Sequence, residues 1–458
     1  MTTALDGRAL ARLREAVHGE IVLPGDADYD EARKVYNAMH DRRPALVVRA
    51  ADVADVIAGV NFARDRELLL AVRGGGHSIP GHGTCDRGLV LDLGRLRGIR
   101  VDPETHRARA EGGCTWAGLD HAGHAFGLAV TGGVVSSTGI AGLTLGGGLG
   151  HLNRRYGLAC DSLVSADVVL ADGTFTTCSD DRAPDLMWAL RGGGGNFGVV
   201  TSFEYQLHPV DSVFGGPTFY PPEADVMRAY RELIAEHDEN LGVLLAVLLG
   251  PQVPFLPKQW HGRPLIAVIT CWTGPLQDDE RIRARLGELG PVLGQFMDRI
   301  PYPVINTLFD EQLPPGLHHY WKGHFSRRLT DGAIDVHLRF GETLPSPESV
   351  TMVFPVDGAC HVQGPKDTAF AYRDANFATA LGPSFPNGAD REANIAWTRA
   401  YSAALEPHSE EGGYVNFMDV DDQHRVRINY RHNYDRLVEV KRRYDPANLF
   451  RLNHNIAP

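Results

Sequence analysis

The stretch VRGGGHSIPGHGTCDRGLVLDL at residues 72–93 decides how the chain is read. Three contiguous glycines, Gly74, Gly75 and Gly76, close an apolar run at 68–72 and lead at once to His77, Ser78 and a second apolar run at 88–93. Successive glycines let backbone N–H groups turn inward and let a ligand approach with no Cβ in the way, which is how loops cradle phosphates. Upstream, PALVVR at 44–49 reads as a strand, and Val53, Val56, Ile57, Val60 and Ala63 then recur at the spacing of one helix face. The result is a β-α-β unit, so the strands at 44–49 and 68–72 are expected to be parallel, with the helix crossing one face.

Two more glycine clusters follow, at 146–150 and at 192–198, and they account for much of the glycine excess: 51 of 458 residues, about 11%, against a usual share of roughly 7%. Their unequal spacing excludes a simple repeat. No GxxxxGK[ST] string occurs, and the first cluster is contiguous and leads to a strand rather than a helix. A Walker loop and a Rossmann loop are both set aside on that ground. Three clusters together point to a phosphate-bearing ligand rather than to tight turns alone.

The remaining features bound the function. A formal net charge of −12 argues against broad nucleic-acid or anionic-membrane binding. Asp6, Arg8, Arg12, Arg14 and Glu15 interrupt the segment where a secretory signal would have to be apolar, and no run of about 18 apolar residues occurs. Six dispersed cysteines without CxxC spacing are expected to be reduced thiols in a cytoplasmic protein. Neither His77 nor His82 has partners at zinc-ligand spacing, so no metal is expected. Residues 162–175 read as a hairpin around Asp172-Gly173. From about 210 to 410 the texture changes to helices at 224–237 and 280–289, strands at 241–249 and 265–270, and Pro-rich joints, which reads as a separate α+β domain. Near the end, Tyr414-Val-Asn-Phe417 looks like a strand and residues 436–443 like a helix stopped before Pro446.

Four motifs in order carry a resemblance covering nearly the whole chain. They are Arg73 to Ser78; TGIAGLTLGGGLG at 138–150 continuing through Arg155-Tyr-Gly-Leu158 to Asp161; RGGGGNFG at 191–198; and the tail from Asn433-Tyr-Asp-Arg-Leu437 through Tyr444-Asp-Pro-Ala-Asn-Leu-Phe450 to Asn455-Ile456. Together they resemble the berberine-bridge-enzyme-like FAD-linked oxidases of the vanillyl-alcohol-oxidase superfamily, with a PCMH-type FAD-binding domain. The resemblance implies a two-domain α+β fold: a FAD-binding domain at 1–208 made of two α/β subdomains, a substrate domain at 209–413 with an antiparallel sheet flanked by helices, and a C-terminal segment at 414–458 returning to the FAD-binding domain.

By the same resemblance, Arg73, Gly74, Gly75, Gly76 and Ser78 wrap the FAD diphosphate, and His77 bonds covalently to the flavin. Thr138, Gly139, Gly142, Leu143, Gly146, Gly147, Gly148, Gly150 and Asp161 are expected along the cofactor. Asn196, Gly198 and Val200 would approach it from the third cluster, and Asn416, Asn453 and Asn455 from the tail. Many relatives carry a second flavin link from a cysteine near the position of Val135; no cysteine stands there, so a single link through His77 is expected. An imidazole attached to the flavin would raise its potential and anchor it.

The substrate side departs from the family pattern. A frequent Tyr at the end of Tyr-x-Asn-Tyr is Phe417 here, and a frequent Glu corresponds to Phe354. Replacement base candidates are Tyr414, Asp419 and the His318-His319-Tyr320 group, while Trp321, Phe354, Tyr372 and Phe417 are candidates for an aromatic pocket. The expected function is an oxidase moving hydride from a small organic substrate (an alcohol, an amine or a secondary-metabolite intermediate) to covalent flavin, with O2 as acceptor. A dehydrogenase using another acceptor and a flavin-holding protein without catalysis are the alternatives.

Overall fold

In the computed structural model, residues 7–236 and 238–458 are described; Asp6 and His237, used in the readings above, lie outside them. Leu46–Arg49, Leu89–Asp92 and Leu70–Arg73 lie side by side in that order, all parallel, and Glu20–Val22 adds antiparallel at the Leu46–Arg49 edge. Helix Val53–Asp65 starts where the Asp52 carboxylate accepts the Asp55 N–H, and it buries Val56, Val60 and Ala63. The β-α-β reading holds in direction but not in adjacency. Leu89–Asp92 is inserted between the two strands the helix connects, because its apolar residues bury on both faces and suit a central position.

A second sheet runs Ile99–Asp102, Arg107–Glu111, Val199–Gln206, Leu163–Val169, Phe175–Ser179, antiparallel throughout. The hairpin between its last two strands turns at Gly173, whose φ of +84° suits glycine. The third sheet has eight antiparallel strands. Its strand Leu241–Leu249 is apolar at every position because both faces are covered. Leu244, Ala246 and Leu248 face one core, and Val243, Leu245 and Val247 face the other, beneath helices Ala224–Ala235, Asp331–Gly341 and Arg391–Leu405.

The tail packs back on the second sheet, with Val415, Met418, Tyr430, Leu437 and Ile456 sharing one core with Phe203 and Tyr205. Helix Tyr434–Tyr444 carries Lys441, whose fully buried Nζ donates to Asp445 at 2.6 Å and to the carbonyls of Asn196 and Phe450. That ties the third glycine cluster to the tail. Tyr414-Val-Asn-Phe417 is not a strand. It is a single 3-10 turn, Val415–Phe417, in which the Phe417 N–H donates to the Tyr414 carbonyl. The backbone of Gly413 lies against that of Gly323, too close for a Cβ, so the segment crosses the strand Lys322–Ser326 instead of pairing along it.

All six cysteines are buried with free thiols. Among the described residues, no helix is long and apolar enough to cross a membrane, and no group of three or more His, Cys, Asp or Glu is placed to hold a metal ion.

Candidate active site

A cavity of about 320 Å³ opens where the three glycine clusters, the tail and one face of the large sheet converge. The first cluster is clamped from below by Arg73. Its buried guanidinium donates to the carbonyls of Ala32 and Lys34 and pairs with Asp92 at 2.8 Å, so its charge is spent on the scaffold. The first cluster meets the segment ahead of the second backbone to backbone: a Cβ on Gly75 would collide with the N and Cα of Gly139. By contrast, Gly142 and Gly195 face open space, with no protein atom within 4 Å of where a Cβ would stand. These glycines therefore do two jobs, close packing in one place and an open cradle in the other.

His77 stands on the cavity wall. Its Nε2 is 3.0 Å from the Ser137 hydroxyl and its Nδ1 is 3.3 Å from the Thr138 hydroxyl. One ring face stacks on Tyr36 with centroids 3.8 Å apart, and Tyr36 in turn stacks on His319 at 4.8 Å. Burial pushes its pKa down to about 4, so the ring is neutral at ordinary pH. A second imidazole pair, His82 and His454, also lines the cavity, edge to face at 5.1 Å. Both are held neutral, first by burial; His82 is lowered further by its proximity to His454.

Of the residues expected at the cofactor, Gly74, Gly75, Gly76, His77, Ser78, Thr138, Gly139, Gly142, Leu143, Asn196, Gly198, Val200, Asn416 and Asn453 line the cavity, as does Arg73. Gly146, Gly147, Gly148, Gly150, Asp161 and Asn455 do not. Gly146 packs against the Asn416 side chain, Gly147 against Phe370, and Gly150 against the Gly132 carbonyl. The Gly148 N–H donates to the Tyr414 hydroxyl. Asp161 forms a bidentate pair with Arg373 and braces the cavity from outside. Asn455 points its Oδ1 into the protein without a partner there.

The opposite wall is made of side chains: Trp321, Met352, Phe354 and Phe417. Tyr372 is not among them. It lies behind this wall, stacked on Phe325 at 4.4 Å and under the Arg431 guanidinium. The base candidates separate in the same way. The Tyr320 hydroxyl donates to Asp421 at 2.6 Å and accepts from Arg399, outside the cavity. Burial and the Asp421 carboxylate push that phenol upward. Asp419 caps the turn at Val420 and is also outside; burial raises its carboxyl to about 6. Only Tyr414 reaches the wall, and its oxygen accepts from both the Gly148 N–H and the Asn416 Nδ2, each at 2.8 Å, with burial raising its pKa. Among the described residues, no Asp, Glu or Lys lines the cavity.

The residues present fit FAD. Bare backbone at Gly142 and Gly195 leaves room for a ligand, and the buried Asn453 Oδ1 has no protein partner at the wall. Sequence reasoning missed Tyr36, Ser137 and His454. Tyr36 lies in an irregular segment with no motif, and only its stacking on His77 marks it.

Comparison with known proteins agrees. A family model described as an FAD binding domain matches residues 44–179, and one described as berberine and berberine like matches residues 413–457. (R)-6-hydroxynicotine oxidase of Paenarthrobacter nicotinovorans is 32% identical over 459 aligned residues, covering 97% of each chain. An FAD-linked oxidoreductase of Dictyostelium discoideum is 29% identical, covering 97% of this chain and 96% of that one. The crystal structure of 6-hydroxy-D-nicotine oxidase from Arthrobacter nicotinovorans superposes with a TM-score of 0.86 at 29% identity, covering 96% of this chain and 98% of that one. With likeness of this extent in both sequence and fold, the chain belongs to the berberine-bridge-enzyme-like family and is an FAD-linked oxidoreductase of α+β, vanillyl-alcohol-oxidase-like fold.

Proposed function

We propose that the protein is an oxidase whose FAD is linked through His77 alone, and that its substrate is a small, uncharged, largely apolar molecule. The observation that carries this is the wall itself: a neutral imidazole stands on the cofactor side, four apolar side chains stand opposite, and among the described residues no cysteine lines the cavity. Val135, where a second link would come from, does line it. FAD, when bound, accepts a hydride from a substrate carbon and returns two electrons to O2 as H2O2. The chain's own part is positional: Trp321, Phe354 and Phe417 exclude water and hold the donor carbon, and Tyr414 fixes the second glycine cluster against the tail.

No side-chain base is assigned. Tyr320 and Asp419 are engaged outside the cavity, and Tyr414 already receives two hydrogen bonds. A substrate that releases hydride without losing a proton to the protein, such as a neutral amine, suits this wall. The domain division belongs to the same reading: FAD-binding at 1–208, substrate-binding at 209–413, and the returning tail at 414–458. Six free thiols favour a reducing, cytoplasmic setting.

The test has two parts. Acid precipitation of wild-type protein should leave the yellow flavin in the pellet, and His77→Ala should release it to the supernatant; a coloured His77→Ala pellet contradicts the link. Reduced enzyme mixed with air-saturated buffer should reoxidise within seconds. Reoxidation over hours would instead make it a dehydrogenase.

A further inference from the structure

Behind His77 lies a feature the family reading does not use. Tyr36 is sandwiched between two imidazoles, His77 at 3.8 Å and 18° and His319 at 4.8 Å and 12°, so three rings from distant parts of the chain form one parallel stack. The stack is braced at every level. The Tyr36 hydroxyl donates to the Leu313 carbonyl at 2.7 Å, and its N–H donates to the Gly76 carbonyl. Buried Asn37 donates to the carbonyls of Ile79 and His319 and accepts the His319 N–H, while His319 Nδ1 is 2.9 Å from the Ser384 hydroxyl. Stacked pairs occur elsewhere, as at Phe325–Tyr372 and Phe340–Tyr401, but here one tyrosine stacks on two imidazoles and one of those rings stands on the cavity wall.

We propose that Tyr36 is a positioning residue for attachment of FAD: it fixes the plane of the His77 ring at the cavity wall, so that a ring nitrogen can exchange its Ser137 or Thr138 hydroxyl partner for the incoming cofactor without the ring leaving that plane. The inference rests on His77 being the link. In that bond-forming step a His77 ring nitrogen joins a methyl carbon of the flavin; one proton leaves the imidazole, one leaves the methyl group, and the two electrons pass to O2 with those protons, giving H2O2. A neutral, pre-aligned ring is what the step needs, because an imidazole free to rotate about χ1 and χ2 spends most of its time out of line.

The experiment follows flavin attachment in apoprotein mixed with FAD, as the acid-precipitable fraction over time, with total bound FAD measured in parallel by gel filtration. Tyr36→Phe keeps the ring and should attach at the parental rate. Tyr36→Leu should still bind FAD but attach it about tenfold more slowly or worse, the scale expected for a misplaced reacting group. Tyr36→Leu attaching at the parental rate overturns the proposal. Should Tyr36→Leu not fold, His319→Leu, which removes the plate behind Tyr36, decides in its place: slowed attachment supports the stack and an unchanged rate overturns it. His77→Ala separates the two claims. Covalent flavin in that variant defeats the link itself, whereas its loss together with unimpaired Tyr36→Leu or His319→Leu defeats only the positioning.

Discussion

One side of the cavity is built from backbone and the other from side chains. On one side the glycines at 74–76, 139 and 142 leave the main chain bare beside three neutral imidazoles, His77, His82 and His454. On the other side Trp321, Met352, Phe354 and Phe417 supply an apolar surface, and among the described residues no Asp, Glu or Lys joins them. The contrast separates what this scaffold must preserve from what it can vary. A backbone cradle fails if a single methyl group is added in the wrong place, while an aromatic wall can exchange one ring for another and change only what it accepts.

The largest expected effect breaks the cradle. Gly75→Ala forces a Cβ into the backbone of Gly139, and neither segment has a flexible side chain that can yield. Overpacking of that kind costs about 3 kcal/mol, and the variant should purify without flavin and with a lower Tm. Gly142→Ala is the control. Its methyl meets no protein atom, so folding stability should stay within about 1 kcal/mol of the parent, while the methyl projects into the cofactor space and lowers FAD uptake, read by flavin absorbance per protein.

Acid should take down both sides together. His151, His319, His324 and His337 are buried, and burial lowers their pKa values to about 4, 3, 3 and 4 from 6.5. A folded-state pKa below the unfolded one means the unfolded chain binds more protons below 6.5, so stability is full above that pH and is lost as pH falls toward the folded values. At pH 5 each such ring withholds about 2 kcal/mol. Denaturant midpoints should therefore fall steeply between pH 6.5 and 4, in one transition. Two separate transitions would mean that the two sides fold independently.

An effect of similar size on stability, but one that leaves the glycine cradle intact, lies at the joint between them. Asp161, just after the second glycine cluster, pairs with Arg373 of the substrate side, and both side chains are almost wholly buried. Asp161→Asn leaves the guanidinium uncompensated and should cost about 3–5 kcal/mol, measured by equilibrium unfolding. The smallest effect is expected on the aromatic wall: Phe417→Leu should leave the acid-stable flavin content unchanged and alter only which compounds bleach the flavin anaerobically.

The same contrast explains what could be read from the sequence. Glycine clusters are local, so they could be picked out before folding, and the structure brings the first of them, with His77, to the wall of one cavity. The parallel directions of Leu46–Arg49 and Leu70–Arg73 were legible too, but the insertion of Leu89–Asp92 between them depends on tertiary pairing. Tyr414 to Phe417 alternates like a strand, yet it turns because of how closely Gly413 approaches Gly323. Tyr320 resembles a catalytic phenol until Asp421 and Arg399, distant in sequence, are seen to hold it outside the cavity. Tyr36 and His319 carry no motif, and only folding brings them into line behind His77.

The single-link assignment is tested most directly by digesting the flavinylated protein and mapping the peptides by mass. The account predicts one flavin adduct, placed on His77 by fragment ions of the peptide 74–87, which also carries Cys85, with the peptides of the other five cysteines at unmodified mass. A flavin mass localised to any cysteine, Cys85 included, or an unmodified His77 while the flavin survives acid, would contradict it.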